Sequence, residues 1–205
     1  LKCVDAFKLF ANATLDAHGW QLGLSTLGQT TSLTLTQAQE LSSVRAKNIL
    51  DSFGYSLQTI STGQLQVQTQ ATTDTILAAL RAVSLAENGT FFIAADGKAT
   101  FRDRNYRLTS TTTPAATFGQ GGSDLPYIDI VTSYDDDKIV NTVQRTRTGG
   151  STQTAVSDSS IQSFGTNVLT QSGTLNIQDS DVSSIANQIV VSNDIPQTRV
   201  DSLSF

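Results

Sequence analysis

AENGTFFIAADGKATFRDR, residues 86–104, carries its own structural punctuation. Asn88 and Gly89 read as a helix stop, because both residue types tolerate the left-handed backbone that closes a helix. Residues 91–94 read as a strand, Asp96-Gly97 as a tight reversal built on positive φ angles, and residues 99–102 as the returning strand. A helix therefore runs straight into a hairpin, and nothing obviously reactive surrounds it.

Upstream of this stretch, Thr72 or Thr73 is expected to cap the helix, with Asp74 favourably placed in its first turn. Ile76, Leu77, Leu80 and Val83 form its apolar stripe. GQLQVQTQ, residues 63–70, alternates Leu65, Val67 and Thr69 against glutamines, the pattern of a half-buried strand. Ser42 or Ser43 is expected to cap an earlier helix that carries Ala46, Ile49, Leu50 and Phe53 and stops at Gly54. Residues 43–104 thus read helix, strand, helix, hairpin, an α+β unit with helices against one sheet face. Before it, residues 1–4 read as a strand and residues 5–15 as a helix with Phe7, Leu9, Phe10 and Ala13 on one side, closed by His18-Gly19. Leu22, Leu24, Leu33 and Leu35 alternate with polar residues between 20 and 39, as one or two short strands would.

Downstream, periodicity stops. Residues 106–126 include STTTPAATFGQGGSD, a Thr-, Gly- and Pro-rich linker. Residues 127–133 and 138–148 then read as two strands joined across Asp135, Asp136 and Asp137. Ser157 and Asp158 open a short helix holding Ile161 and Phe164 and stopped by Gly165. Strands are expected at 167–170 and 174–177. Asp179 to Asp181 open a helix with Val182, Ile185, Ala186 and Ile189 on one side, and residues 198–205 form a last strand. The domain division expected from these elements is fourfold. Residues 1–19 pack with the C-terminal half, 20–107 form an α+β insertion domain, 108–126 a linker, and 127–205 a β-rich domain with two short helices.

Composition narrows the function classes. Charged residues make up 15% of the chain, against about 25% in ordinary globular domains. Thr, Ser, Gln and Asn fill the difference, as expected of a surface that spends much of its area against other subunits. The net charge is -5, so the basic footprint of a nucleic-acid binder is absent. No apolar run approaches the roughly 20 residues of a membrane helix. LKCVDAFKLF is not a signal peptide, since Asp5 and Lys8 interrupt it. With no methionine, the sequence reads as a piece of a longer polypeptide. Cys3 is the lone cysteine, which excludes an internal disulfide and a multi-thiolate zinc site. The sequons at Asn12 and Asn88 are read as chance matches in a Thr-rich chain.

No candidate matures into an active site. His18 is the single histidine, with no nucleophile setting beside it, and a helix C-terminus suits histidine for dipole reasons alone. Asp135, Asp136 and Asp137 lack the alternating ligands of a calcium loop and read as a solvated turn. Gly119 to Asp124, GQGGSD, lacks the following Lys-Ser/Thr of a phosphate loop. Arg102, Arg104 and Arg107 read as ion-pairing or intersubunit residues. Trp20, Tyr55 and Tyr106 are too scattered to define a carbohydrate platform. The expectation is therefore no catalytic, cofactor-binding or metal-binding residue, and no cofactor.

The order of elements carries a resemblance. LKCVDAFKLFANATL is followed by VRAKNILDSFGY, then by LAALRAVSLAENGTFFIAADGKATFRDR, LPYIDIVTSYDDDKIVNTVQRTRTGG, SIQSFGTNVLT and IPQTRVDSLSF. This series resembles the minor tail proteins of long-tailed actinobacterial phages, within the broader tail-hub class, over nearly the whole chain. Its most specific pieces are the AENG-to-FRDR hairpin and DDDKIVNTVQRTRTGG followed by SIQSFG. The resemblance implies a non-enzymatic virion protein at the tail tip. It implies a homo-trimeric ring that continues the tail tube, contacts the distal tail protein and tape measure, and carries fibre or lytic modules elsewhere. DNA would pass through without specific binding, and nothing would insert into a membrane. The implied fold combines β-barrel-like tube elements with an inserted helix-plus-sheet domain. The N-terminal strands of a complete tube domain are missing, so the sequence is expected to begin partway through one. In such a ring the lumen wall would be neutral or negative, with Asp135 to Asp137 contributing and the arginines turned elsewhere. A cell-wall hydrolase domain and a receptor- or glycan-binding module stay open as alternatives.

Overall fold

The structure, a computed structural model, describes residues 6–13, 36–37, 39–71, 75–106, 116–122, 124–135 and 138–204. The expected strand at residues 1–4, His18, and the leucines between 20 and 35 lie outside these residues. Contacts divide the chain into two units, Leu1–Tyr106 with Thr174–Gln178, and Arg107–Gly173 with Asp179–Phe205. The architecture is α+β, and no sheet among the described residues closes into a barrel.

The first unit begins with α1 (Ala6–Asn12), which buries Phe10. Leu9, read as part of the same apolar side, is 47% exposed. It lies about 200° around the helix from Phe7, at roughly 100° per residue. Two-residue strands β1 (Thr36–Gln37) and β2 (Glu40–Leu41) lead into α2 (Ser42–Ser52), where Ala46, Ile49 and Leu50 are buried as their spacing predicts. Neither Ser42 nor Ser43 caps this helix. Leu41 holds the N-cap position in extended backbone, while Ser42 lies inside the helix and its hydroxyl donates to the Glu87 carboxylate at 2.6 Å. A charged acceptor outcompetes the local backbone amide for that hydroxyl.

Next come β3 (Gln58–Ile60), β4 (Gln66–Val67) and β5 (Gln70–Ala71). Within 63–70, Leu65 and Val67 are buried, but the stretch is not one strand. Its hydrogen bonds go to separate partners. Gln64 and Leu65 donate their amides to Glu87, β4 pairs with β2, Gln68 donates to the Leu175 carbonyl, and β5 pairs with β1. Sequence reading also missed β3, too short to show a period.

Helix α3 (Ile76–Glu87) is capped by Thr75, whose side chain accepts the Ala78 amide at 3.2 Å, and not by Thr72 or Thr73. Asn88 closes it in left-handed backbone, with φ 55°. The chain then enters β6 (Thr90–Ile93) and returns as β7 (Ala99–Arg102). Only Gly97 takes a positive φ in the reversal, 81°, and its amide donates to Ala94. The turn is thus a type I turn closed by a left-handed glycine, one residue longer than a two-residue Asp-Gly loop. Strand β7 is central, antiparallel to β6 and parallel to β3, with Phe91 opposite Phe101 and Ile60 also in register with Phe101. That inward row meets Ile76, Leu80 and Val83 of α3, Ile49 and Leu50 of α2, and Phe10 of α1 in one core. Phe10 packs edge-on against Phe53 and Tyr55, with centroids 5.5 and 5.0 Å away.

Glu87 fastens this unit. Fully buried at the end of α3, it accepts the Ser42 hydroxyl and the amides of Gln64 and Leu65. The neighbouring Gly63 comes so close to α2 that a Cβ there would lie 1.9 Å from the Ser42 hydroxyl. The unit is completed from downstream. Asn176, fully buried, pairs with Val67 and donates its side-chain amide to the Ala86 carbonyl at 2.9 Å.

In the second unit, β8 (Asp129–Asp135) pairs with β12 (Gln197–Ser204), and β9 (Thr142–Arg147) is flanked by β10 (Gln153–Val156) and β11 (Val168–Thr174). The two strands expected to adjoin across the aspartates therefore belong to different sheets. Strand β10 was not anticipated, and the two strands expected at 167–170 and 174–177 merge into β11, with Leu175 and Asn176 leaving for the first unit. Helix α4 (Asp158–Phe164) follows Ser157. It holds Ile161 and Phe164 as expected, but the residue it buries is Ser160; Ile161 is half-buried and Phe164 exposed. Helix α5 (Asp179–Asn193) buries Val182, Ile185, Ala186 and Ile189, the side read from the sequence, and packs on β9 and β10.

Two substitutions test this account. Leu80→Ala is expected to cost about 2–5 kcal/mol in denaturant unfolding, as buried leucine truncations do. Glu87→Gln keeps the volume but faces three donors with an amide that can accept only at one atom. A loss of about 1.5–3 kcal/mol is expected, since hydrogen bonds to charged groups weigh more than neutral ones. An unchanged midpoint in Glu87→Gln would show that the carboxylate is incidental.

Candidate functional site

The feature of this chain that lacks a completed structure is the ribbon of β8 and β12. Two antiparallel strands run in register from Gln197 opposite Asp135 to Ser204 opposite Asp129, with an irregularity between Val200 and Ser202. Register and alternation place Ile130, Thr132 and Tyr134 of β8 on one face with Thr198, Val200 and Leu203 of β12. On that face Tyr134 is 70% exposed, Val200 57% and Ile130 43%. Among the described residues no third strand pairs with either edge. A two-stranded ribbon with an uncovered apolar face is marginal by itself, and its edges offer unpaired backbone donors and acceptors. The side chains of that face are Thr, Tyr and aliphatics, cheaper to desolvate than the charged Asp129, Asp135, Arg199 and Asp201 elsewhere on the ribbon. Sequence alternation located both strands but could not show that neither face is covered.

Buried polar side chains tie the other elements of the second unit together. Asn141, fully buried ahead of β9, donates its side-chain amide to the Gly165 carbonyl at 2.6 Å and the Ser160 hydroxyl at 3.2 Å, and accepts the Asn167 amide at 2.8 Å. One amide thereby ties the start of β9 to both ends of α4. DDDKIVNTVQRTRTGG and SIQSFG, separated in sequence by residues 151–159, are thus physically coupled. Arg145, also fully buried on β9, reaches Gln171 of β11 at 2.8 Å, and burial pushes its guanidinium down to about 10. At neutral pH it keeps its charge. At the turn after β9, Asp179 accepts the Ser151 hydroxyl at 2.7 Å and the Arg147 guanidinium at 2.6 Å. The Ser151 hydroxyl first, then Arg147, hold its carboxyl below the usual carboxylate range. An amide side chain directly after the apolar pair Ile139-Val140 was the available signal for Asn141, and sequence reading passed over it.

Among the described residues the sequence-predicted positions do not converge. Cys3, His18, Trp20, Arg107, Asp136 and Asp137 lie outside the described residues. Tyr55 belongs to the core of the first unit and donates its hydroxyl to the Gly97 carbonyl at 2.6 Å. Gly119 pairs its amide with the Leu125 carbonyl in a small closed loop. Asp135 ends β8. Arg102 stacks its guanidinium on Phe92 at 4.9 Å and on Tyr106 at 4.0 Å, and Arg104 follows in the turn beyond β7. Among the described residues no group of His, Cys, Asp and Glu is placed to hold a metal ion, and no helix is long and apolar enough to cross a membrane.

No family model matches the chain, and no curated protein matches it. Among solved structures it is similar to the tail protein from Neisseria meningitidis MC58, at 11% identity and a TM-score of 0.45, covering 75% of this chain and 46% of that one. It is also similar to the prophage tail protein gp18 from Listeria monocytogenes EGD-e, at 12% identity and a TM-score of 0.37, covering 65% of this chain and 40% of that one. The chain thus spans less than half the length of either protein.

The Asp179 contact gives a signed pH dependence. Its lowered value means a stabilising contribution fully present above the unfolded value of about 3.9 and lost as pH falls through the folded one. Thermal melts between about pH 5 and pH 2 should therefore fall more steeply for the parent than for Asp179→Asn. Parallel curves would remove Asp179 from the docking of the turn. Asn141→Ala strands a buried amide and two acceptors, and should cost at least about 1–3 kcal/mol in the same unfolding assay.

Proposed function

We propose that this chain is a structural component of a phage tail tip, one subunit of a ring-shaped hub that continues the tail tube and organises attachment and DNA passage. The observation that carries this reading is the β8–β12 ribbon, an ordered pair of strands whose apolar face and two edges call for a neighbouring subunit. Three further features support it. The order of elements resembles tail-hub proteins along nearly the whole chain. The surface is poor in charge, and the net charge of -5 suits a wall past which DNA must slide without being held.

In a cyclic homo-trimer each junction brings two different patches of one subunit together. The ribbon would supply one of them. Its partners beyond the ring would be the distal tail protein, the tape measure and fibre or lytic modules, at the tip of the virion. No catalytic step is assigned.

The test is self-association. Light scattering on the purified chain should give a mass near three copies, and a map of the intact tail tip should place the chain in a ring around the DNA path. Ile130→Lys combined with Val200→Lys, both at exposed positions, should leave the melting temperature within a few degrees of the parent while abolishing the trimer. A parent chain that stays monomeric, or a subunit found hanging from the side of the tail, sinks the proposal.

A further inference from the structure

Residues 174–178, TLNIQ, stand apart from the chain on either side of them. They belong to the first unit, while the residues up to Gly173 and from Asp179 belong to the second. Both ends of this excursion are exposed, at Gly173 and Gln178, but Thr174, Leu175 and Asn176 are buried. Their described partners lie on β4, on Gln68 just after it, and on α3. Asn176 forms an antiparallel bridge with Val67, the Gln68 amide donates to the Leu175 carbonyl at 2.7 Å, and the Gln68 side-chain amide donates to the Asn176 carbonyl. Leu175 shares a small apolar cluster with Val67, Ala82 and Ala86. The Asn176 side-chain amide donates to the Ala86 carbonyl at 2.9 Å. That carbonyl lies in the last turn of α3, where no intrahelical donor is available. A backbone bridge, one apolar anchor and one amide reading a helix-end carbonyl are the means by which an extended peptide is held at a strand edge.

The site and its ligand are distant in sequence, 90 residues apart for Ala86 and Asn176 and 108 for Gln68 and Asn176. No contact depends on covalent proximity, so the same segment of any copy fits the site equally well. Resting on the hub reading, we infer that the site is filled between copies: in the assembled ring, residues 174–178 of one copy dock on β4 and α3 of the next. Exchange of an identical element keeps every contact and requires no new surface, which makes it a low-cost route to association. In an isolated chain the tether holds the segment at an effective concentration on the order of mM, and it fills its own site. Neighbours held in a ring stand at a comparable local concentration, and the exchanged segment then ties them together. Donor and acceptor are different parts of one subunit, so the junction is head-to-tail, the kind that closes a ring.

Cysteine cross-linking in the full chain tests this. The hydrogen bond from Gln68 to Leu175 flanks the Val67–Asn176 bridge, which is therefore a non-hydrogen-bonded pair. Such pairs have the closer antiparallel spacing, about 4.5 Å between Cα atoms, within reach of a disulfide. Val67→Cys with Asn176→Cys, in a chain also carrying Cys3→Ser, should run as covalent dimers and trimers on a denaturing gel after mild oxidation of the oligomer. Neither single-cysteine chain should do so. An oligomer whose cross-links all lie within single chains overturns the exchange and leaves the hub reading standing. A parent that is monomeric at about 100 µM overturns both. Where the double variant does not fold or does not cross-link, Leu175→Asp in the full chain decides, because it removes the apolar anchor and leaves the site open. A synthetic peptide of residues 172–180 should then bind that variant one to one, and the parent, its site already filled, at least about tenfold more weakly. Equal uptake by the parent and the variant, or no uptake by the variant, overturns the proposal.

Discussion

A carboxylate at the last residue of a helix works against the helix dipole, whose C-terminal end already carries partial negative charge. Glu87 occupies that position, and it is fully buried. Burial of an ion is tolerable only where donors replace the lost water. Three do so here: the Ser42 hydroxyl at the first turn of α2, and the amides of Gln64 and Leu65 in the loop behind it. One side chain thereby sets where α2 begins relative to where α3 ends. It also decides that residues 64 and 65 spend their hydrogen bonds on a side chain and not on a strand. The hairpin that follows α3, and the sheet that β7 shares with β3, start from this fixed corner.

The second unit uses the same device with a neutral group. Asn141 offers two donors and an acceptor to α4 and to the residue before β11, satisfying the Gly165 carbonyl at the end of that helix and the Asn167 amide. In both units the apolar stripes supply the bulk of the driving force, being non-directional. The buried polar residue selects one arrangement among the several that would bury similar area, because displaced elements would strand its hydrogen bonds. Asp179 repeats the principle at the surface, pinning the turn after β9 to the first residue of α5.

A scaffold fixed in this way can present a segment that is not itself satisfied. The β8–β12 ribbon has its register set by backbone pairing and by the Ser133 hydroxyl donating to Asp201 at 2.8 Å, yet much of its apolar surface stays in water. An exposed apolar face on such a ribbon has a physical cost: it invites unwanted association.

Much of the fold was legible beforehand. Helical spacing in Ile76, Leu77, Leu80 and Val83, and again in Val182, Ile185, Ala186 and Ile189, located two helices and their buried faces, because burial of one stripe imposes its own period. Asn88 and Gly97 marked a helix stop and a reversal, since few residues tolerate left-handed backbone. What escaped was everything settled between distant residues. Ser42 and Ser43 look like caps until a buried carboxylate from 45 positions downstream claims the hydroxyl of Ser42. Residues 63–70 look like one strand until four partners divide it. The strands flanking Asp135 look like neighbours until β12 and β10 prove to be their partners. The uncovered face of the ribbon could not be read either, for alternation reports which side of a strand is apolar and not whether anything lies upon it. Local pattern determined the elements through backbone sterics and periodic burial. Pairing, capping and exposure were decided by tertiary structure, because each depends on which of several competing partners comes within hydrogen-bonding reach.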